Sequence, residues 1–227
     1  MIPRSVHLIP DNVKALVFDC DGTLLNTMPL HWRAWCKVCR DTGLNFRKDD
    51  FYVLAGVPGK KIITVLASHQ GKILDAQAVY ERKRSYFLSE LSTVNPIQCV
   101  LRYVYEANER GIPVAVASGS SRKQVEQALS NTGILSLFHC VLGNEDYSNH
   151  KPSPDAFLTA AARLGVNPSE CWAFEDTDIG LESIKRAGFA EAIDVRSFPG
   201  YPDQRPCVDQ ETPAISSRRL RRALTIG

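Results

Sequence analysis

Apolar residues gather in five short runs, and polar, glycine-ended stretches separate them. The runs are Val13 with Ala15–Phe18, Pro113–Ala117, Cys140–Leu142, Cys171–Phe174 and Ala192–Val195. Runs this short, built from Val, Ala, Phe and Cys without alternation, suit strands covered on both faces. Elsewhere the apolar positions recur at helical spacing. Pro29 to Arg40 carries Trp32, Trp35, Cys36 and Cys39 along one stripe, and Gly43 ends it. Lys60 to His69 and Asp75 to Leu91 repeat the pattern, as do Cys99 to Asn108 and Gln124 to Leu129. A further helix starts with Ser153 as N-cap and Pro154 at the first helical position, and stops at Gly165. The last, Ile179 to Ala187, takes Asp178 as its cap and Gly188 as its end.

From Pro96 onward strand and helix alternate, which predicts an α/β core with a parallel sheet and crossover helices. Residues 28–94 contain helical patterns only and form a helical insert between 12–27 and 95–198 of the core. Residues 199–227 lose the pattern. They are rich in Pro, Gln and Arg, with a basic cluster at Arg218, Arg219, Arg221 and Arg222, and read as a disordered tail more readily than as a binding segment.

Composition narrows the class. A net charge of +2 over 227 residues shows no concentrated basic face for nucleic acid. No apolar run approaches the ~18 residues that span a bilayer, and the start of the chain, with Arg4 and His7, lacks a signal-peptide core. The seven cysteines are odd in number and have no framework spacing, so the chain is expected to be cytosolic, with reduced thiols and no membrane partner, and to act as a monomer. Cys36 and Cys39 form a C-x-x-C inside a helical pattern beside two tryptophans, where packing explains them better than redox or metal chemistry.

Four of the strands end in reactive side chains. The first stops at Asp19-Cys20-Asp21-Gly22, and the second at Ser118-Gly119-Ser120-Ser121-Arg122. The third leads through a polar loop to Lys151, held between a strand end and a helix start, and the fourth stops at Glu175-Asp176. Each has an ordinary explanation: an Asp-Gly turn, a serine N-cap cluster, a solvated lysine. Parallel strands joined by crossovers nevertheless put all four ends on one edge of the sheet, where open α/β folds bind ligands. Asp19, Asp176 and Glu175 are hard oxygen ligands suited to Mg²⁺, and Ser118 and Lys151 offer donors and charge to a phosphate. A carboxylate aimed at that phosphate can attack it, and Asp19 takes this role. Asp21 then protonates the leaving alcohol and later deprotonates water. A halide leaves without a proton, so the second acid points to an ester.

The D-x-D-G-T at Asp19–Thr23, Ser118 after a strand, the K-P-x-P-D at Lys151–Asp155 and the Glu175-Asp176 pair closely resemble, in order, the four motifs of the haloacid dehalogenase superfamily in its phosphatase branch. The resemblance spans residues 12–198 and implies a Rossmann-like core, Mg²⁺ dependence, Asp19 as nucleophile and Asp21 as acid/base. It also implies a metal held by the Asp19 side chain, the Asp21 carbonyl and Asp176, with help from Glu175. The insert looks like the helical cap of the β-phosphoglucomutase-like group, which closes over small phosphorylated substrates. Thr27 marks where the chain leaves the core, and Thr27, His31, Gly56, Lys60, Lys83, Gly119 and Ser120 are the candidate substrate-binding residues. Asn26 stands where many members have Asp.

Within that group, β-phosphoglucomutases carry a cap-loop arginine that grips a second phosphate; matched on Gly56, its place falls on Gly59. Lys60, Lys61 and Lys83 are partial substitutes. His150-Lys151-Pro152, the Gly-x-Pro loop and Phe174-Glu175-Asp176 look like the bacterial fructose-1-phosphate and 6-phosphogluconate phosphatases. The expected function is therefore hydrolysis of small sugar phosphates, with a sugar phosphomutase as the alternative. A non-catalytic phosphate sensor is the third reading, and the filled proton-transfer and metal positions argue against it.

Overall fold

The structure is a computed structural model that describes residues 8–202. The elements run β1 (Ala15–Phe18), α1 (Met28–Thr42), α2 (Lys48–Val53), α3 (Gly59–His69), α4 (Ala76–Glu90), α5 (Gln98–Glu109), β2 (Val114–Ala117), α6 (Arg122–Asn131), β3 (Cys140–Leu142), α7 (Asp155–Leu164), β4 (Cys171–Glu175), α8 (Asp178–Arg186) and β5 (Glu191–Asp194). Within the described residues there are two compact units: one of the chain up to Thr27 with Val94–Pro202, the other Met28–Thr93. No described helix is long and apolar enough to cross a membrane.

The first unit is the α/β fold that the alternation predicts. Its five strands are all parallel, in the order β3-β2-β1-β4-β5. β1 and β2 are buried throughout, which is why their sequences, Ala-Leu-Val-Phe and Val-Ala-Val-Ala, do not alternate. On one face Val17, Ala115, Ala117 and Ala173 meet Ala156, Phe157 and Ala160 of α7. On the other, Phe18 stacks on Phe174 at 4.4 Å, and Tyr103 of α5 leans on Phe174 at 4.9 Å.

Two helix starts differ from expectation. α7 begins at Asp155 with Pro154 as its cap residue, and Ser153 instead donates its hydroxyl to the Asp155 carboxylate at 2.6 Å. α8 is capped by Thr177, whose Oγ1 accepts from the Gly180 amide at 3.1 Å; Asp178 is the first helical residue and pairs with Arg196. Both Ser153 and Asp178 are competent caps by composition, but in each case a neighbour holds the position.

The second unit is helical, with no strand among its described residues. α2 has no sequence signal, because six residues are too few to show a period. α1 turns Ala34, Trp35 and Val38 fully inward, so its buried stripe is centred there, while Trp32 and Cys39 pack at its margin. Burial pushes the Cys39 thiol up to about 12 and raises Cys36 as well, the behaviour of packed, unreactive thiols.

A buried carboxylate ties the loop after β3 to two helices. Asp146 accepts from the Gly143 amide at 2.9 Å, from Arg163 at 2.7 Å and from Arg122 Nε at 3.0 Å. Burial works to raise this carboxyl, but the bonds from Arg122, Gly143 and Arg163 outweigh it and hold Asp146 below the usual range. Its stabilising contribution is therefore complete above the unfolded value of about 3.9 and disappears as pH falls through the lower folded value. Both arginines are 41% exposed, so solvent screening limits the effect. Asp146→Ala is expected to destabilise by about 1–2 kcal/mol at pH 7, read from urea unfolding, and the difference should shrink below about pH 4; a difference independent of pH contradicts this.

Candidate active site

Parallel register brings the reactive strand ends to one edge. Phe18 lies opposite Val116 and Phe174, so Asp19 and Glu175 emerge side by side, and Ser118 follows one residue beyond that level. The Asp19 amide donates to the Phe174 carbonyl at 3.0 Å, which carries the sheet one residue past β1. Asp19, Glu175 and Asp176 are all buried, and one oxygen of each lies within 4.8 Å of the others. Lys151 reaches the cluster from the loop before α7, with Nζ 2.6 Å from Asp19 Oδ1 and 3.1 Å from Glu175 Oε1. The Lys151 side chain is 7% exposed, so this lysine is not a solvated charge.

Each acid has a different environment. Glu175 accepts from the Asp176 and Thr177 amides and the Thr177 hydroxyl as well as from Lys151, and is saturated by the protein. Asp176 accepts from Thr23 at 3.2 Å. Asp21 is turned toward the serine loop, where its Oδ2 accepts the Ser120 hydroxyl at 2.7 Å. Ser118, 1% exposed, accepts from the Ser120 amide at 3.1 Å.

The electrostatics follow from three carboxylates around one cation. Burial pushes the Asp19 carboxyl up to about 8, with Lys151 pulling it down and Glu175 pushing it further up. Burial, then Glu175 and Asp19, raise Asp176 well above the usual range. Burial works against the charge on Lys151, but Asp19 and Glu175 outweigh it and hold the ammonium above its ordinary value. Buried oxygen ligands with too little positive charge among them fit a hard divalent cation. Asp19 and Asp176 are the available side-chain donors, and Glu175, already saturated, suits orienting Lys151 and the turn.

The remaining candidates divide between the units. Gly119 lies in the serine loop with Ser118 and Ser120, and Thr27 closes the first unit, its buried Oγ1 without a protein hydrogen bond. His31, Gly56, Lys60 and Lys83 belong to the helical unit, where only His31 and Lys83 come together. Lys83 is buried, its Nζ 2.7 Å from His31 Nδ1, and the His31 ring stacks on Phe87 at 4.1 Å. Gly56 turns the backbone before α3, and Lys60 lies in the first turn of that helix.

Sequence reading missed four supporting groups. Thr23 and Thr177 adjoin the motifs and carried a signal in that adjacency. Gln124, which donates to Ser120 at 3.3 Å, and Tyr147, whose hydroxyl donates to the Ser118 carbonyl at 2.9 Å, carried none.

The sequence model of the haloacid dehalogenase-like hydrolase family matches residues 16–193. The chain is 35% identical to the fructose-1-phosphate phosphatase YqaB of Escherichia coli over 82% of this chain and 98% of that protein. It is 28% identical to the β-phosphoglucomutase of Bacillus subtilis, covering 78% of this chain and 80% of that one. Among solved structures, CbbY of Rhodobacter sphaeroides in complex with phosphate superposes with a TM-score of 0.70 at 26% identity, over 78% of this chain and 84% of that chain.

Two glycines separate tight packing from open space at this edge. A Cβ on Gly180 would lie 1.6 Å from Glu175 Oε1, whereas one on Gly119 would meet nothing within 4 Å. Gly180→Ala must displace Glu175 and is expected to destabilise by about 1–3 kcal/mol, while Gly119→Ala stays within about 0.5 kcal/mol of the parent. Urea unfolding checks the pair, and equal midpoints contradict the packing.

Proposed function

Because the chain belongs to the haloacid dehalogenase-like hydrolases, we propose that it is a Mg²⁺-dependent phosphatase that hydrolyses small sugar phosphates through an aspartyl-phosphate on Asp19. The observation that carries this reading is the division of labour between two carboxylates two residues apart. Asp19 is buried against Lys151, and Asp21 is held by the Ser120 hydroxyl. Pairs of acids in environments that differ this much are suited to separate roles. Asp19 attacks phosphorus, and Lys151 neutralises charge that builds on the phosphoryl oxygens. Asp21 gives its proton to the leaving sugar oxygen and then takes one from the water that cleaves the acyl phosphate. Ser118, with the Gly119 and Ser120 segment, offers donors to the phosphate. Bound magnesium, held by Asp19, Asp176 and the Asp21 carbonyl, would supply positive charge against the same oxygens.

The substrate class rests on the relatives and on the helical unit. The relatives named for sugar phosphates include a fructose-1-phosphate phosphatase and a β-phosphoglucomutase. Within the helical unit the buried His31–Lys83 pair, with Lys60 and Gly56 as further candidates, offers polar groups suited to a sugar phosphate; Thr27 is a candidate of the first unit. The mutase reading is favoured by the Bacillus relative but opposed at Gly59, which carries no guanidinium to grip a second phosphate and where a Cβ would lie 2.9 Å from the Tyr80 ring. Six free cysteines among the described residues suit a reducing compartment, and we place the enzyme in the cytosol as a monomer.

Phosphate release from a panel of sugar phosphates tests the proposal. EDTA should abolish it and Mg²⁺ restore it, and Asp19→Asn should lower kcat by roughly 10³-fold or more with folding intact. Activity that survives either change contradicts the mechanism. Conversion of β-glucose 1-phosphate to glucose 6-phosphate faster than phosphate appears would establish the mutase instead.

A further inference from the structure

Gly22 makes a left-handed turn in the candidate active site, and the peptides on both its sides are hydrogen-bonded. Its φ is +88°, a left-handed conformation that glycine adopts without strain, and the Asp176 carboxylate lies against it, 2.2 Å from where a Cβ would be. The peptide before it carries the Asp21 carbonyl, and that plane is held by the Gly22 amide donating to the Leu25 carbonyl at 2.9 Å. The peptide after it is held from a distant part of the chain. The Tyr201 hydroxyl donates to the Gly22 carbonyl at 2.6 Å.

Tyr201 falls beyond the last strand and beyond the family match, which ends at residue 193, in a stretch the sequence pattern assigns to the tail. Residues 199–202 of that stretch are among the described residues; those from 203 on, with the arginine cluster, lie outside them. Three contacts seat it. Its amide donates to the Phe198 carbonyl at 3.0 Å, Phe198 stacks on Tyr103 at 5.5 Å, and Tyr103 leans on Phe174, one residue before Glu175. Arg196 adds ion pairs to Asp194 and Asp178. Burial, then Asp176 and Glu175, raise the phenol above its ordinary value, so it remains a hydrogen-bond donor.

We infer that Tyr201 is a positioning residue that fixes the Gly22 turn, and with it the Asp21 carbonyl and the place of Asp176, for a divalent cation. The inference rests on the metal-dependent reading above. Without the phenol, the peptide after Gly22 is held only by the Thr23 amide, which donates to the Cys20 carbonyl at 3.4 Å, and the turn that carries the Asp21 carbonyl and abuts Asp176 loosens; the Tyr201 hydrogen bond removes that freedom before any ligand arrives. Groups that orient metal donors in this way typically change metal affinity by tens-fold when removed.

Tyr201→Phe keeps the ring and removes only the hydroxyl. In the metal-free protein, amide exchange at Gly22, Leu24 and Leu25 should quicken about tenfold relative to the parent, with the thermal midpoint nearly unchanged. Calorimetric titration with Mg²⁺ should show affinity weakened about tenfold, and the Mg²⁺ concentration for half-maximal phosphate release should rise in step while kcat at saturating Mg²⁺ changes little. Exchange within twofold of the parent, or unchanged Mg²⁺ affinity, overturns the inference. A parent protein that binds Mg²⁺ yet releases no phosphate overturns the phosphatase reading alone, since exchange and calorimetry then still decide the role of Tyr201. A parent that binds no Mg²⁺ overturns both.

Discussion

Lys151 is the cation among three buried carboxylates, 2.6 Å from Asp19 and 3.1 Å from Glu175, with Asp176 beside them. Two like charges about 4 Å apart repel by roughly 4 kcal/mol at an effective dielectric of about 20, so one lysine cannot hold all three ionised at neutral pH. Burial first, and the neighbouring carboxylates after it, raise the carboxyls of Asp19 and Asp176. A divalent cation would close the deficit of positive charge, and in the proposed reaction the same charge would serve the phosphate. The need for further positive charge is thus built into the protein before any ligand is considered.

Everything around the cluster keeps these groups close without relieving the deficit. The parallel register delivers Asp19 and Glu175 to one level, and α7 lies near enough for Lys151 to arrive because Ala115, Ala117, Ala156 and Ala160 are small. Gly22 and Gly180 let the backbone approach the Asp176 and Glu175 carboxylates, where any side chain would collide. Glu175 is satisfied by amides, a hydroxyl and the lysine, which makes it the fixed wall against which the other groups are set.

The sheet and the motif residues were legible because strand ends in a parallel sheet have few alternatives. Once β1, β2, β3 and β4 were read from unbroken apolar runs, their ends had to meet. Helix starts were less legible: Ser153 and Asp178 have the right composition for caps, and only three-dimensional competition with Pro154 and Thr177 decides which residue takes the place. The side chains that support the site from outside the motifs, Gln124, Tyr147 and Tyr201, left no local signal, because a single hydrogen bond, whether from the next helix to Ser120, from a loop to the Ser118 carbonyl or from Tyr201 across the chain to Gly22, has no period and no motif. The pairing of His31 with Lys83 is intermediate: His31 was a candidate by resemblance and Lys83 as a partial substitute for a missing arginine, but their contact had no sequence signal.

The central claim is that Asp19, not water, makes the first bond to phosphorus, with Asp21 moving the proton. Rapid acid quench during turnover of a sugar phosphate, followed by borohydride reduction and peptide mass spectrometry, tests it most directly, because an acyl phosphate is reduced to an alcohol while a free carboxylate is not. The account predicts homoserine at position 19 and an unmodified Asp21. Turnover with no reduced residue at position 19, or with the label at Asp21, would contradict it.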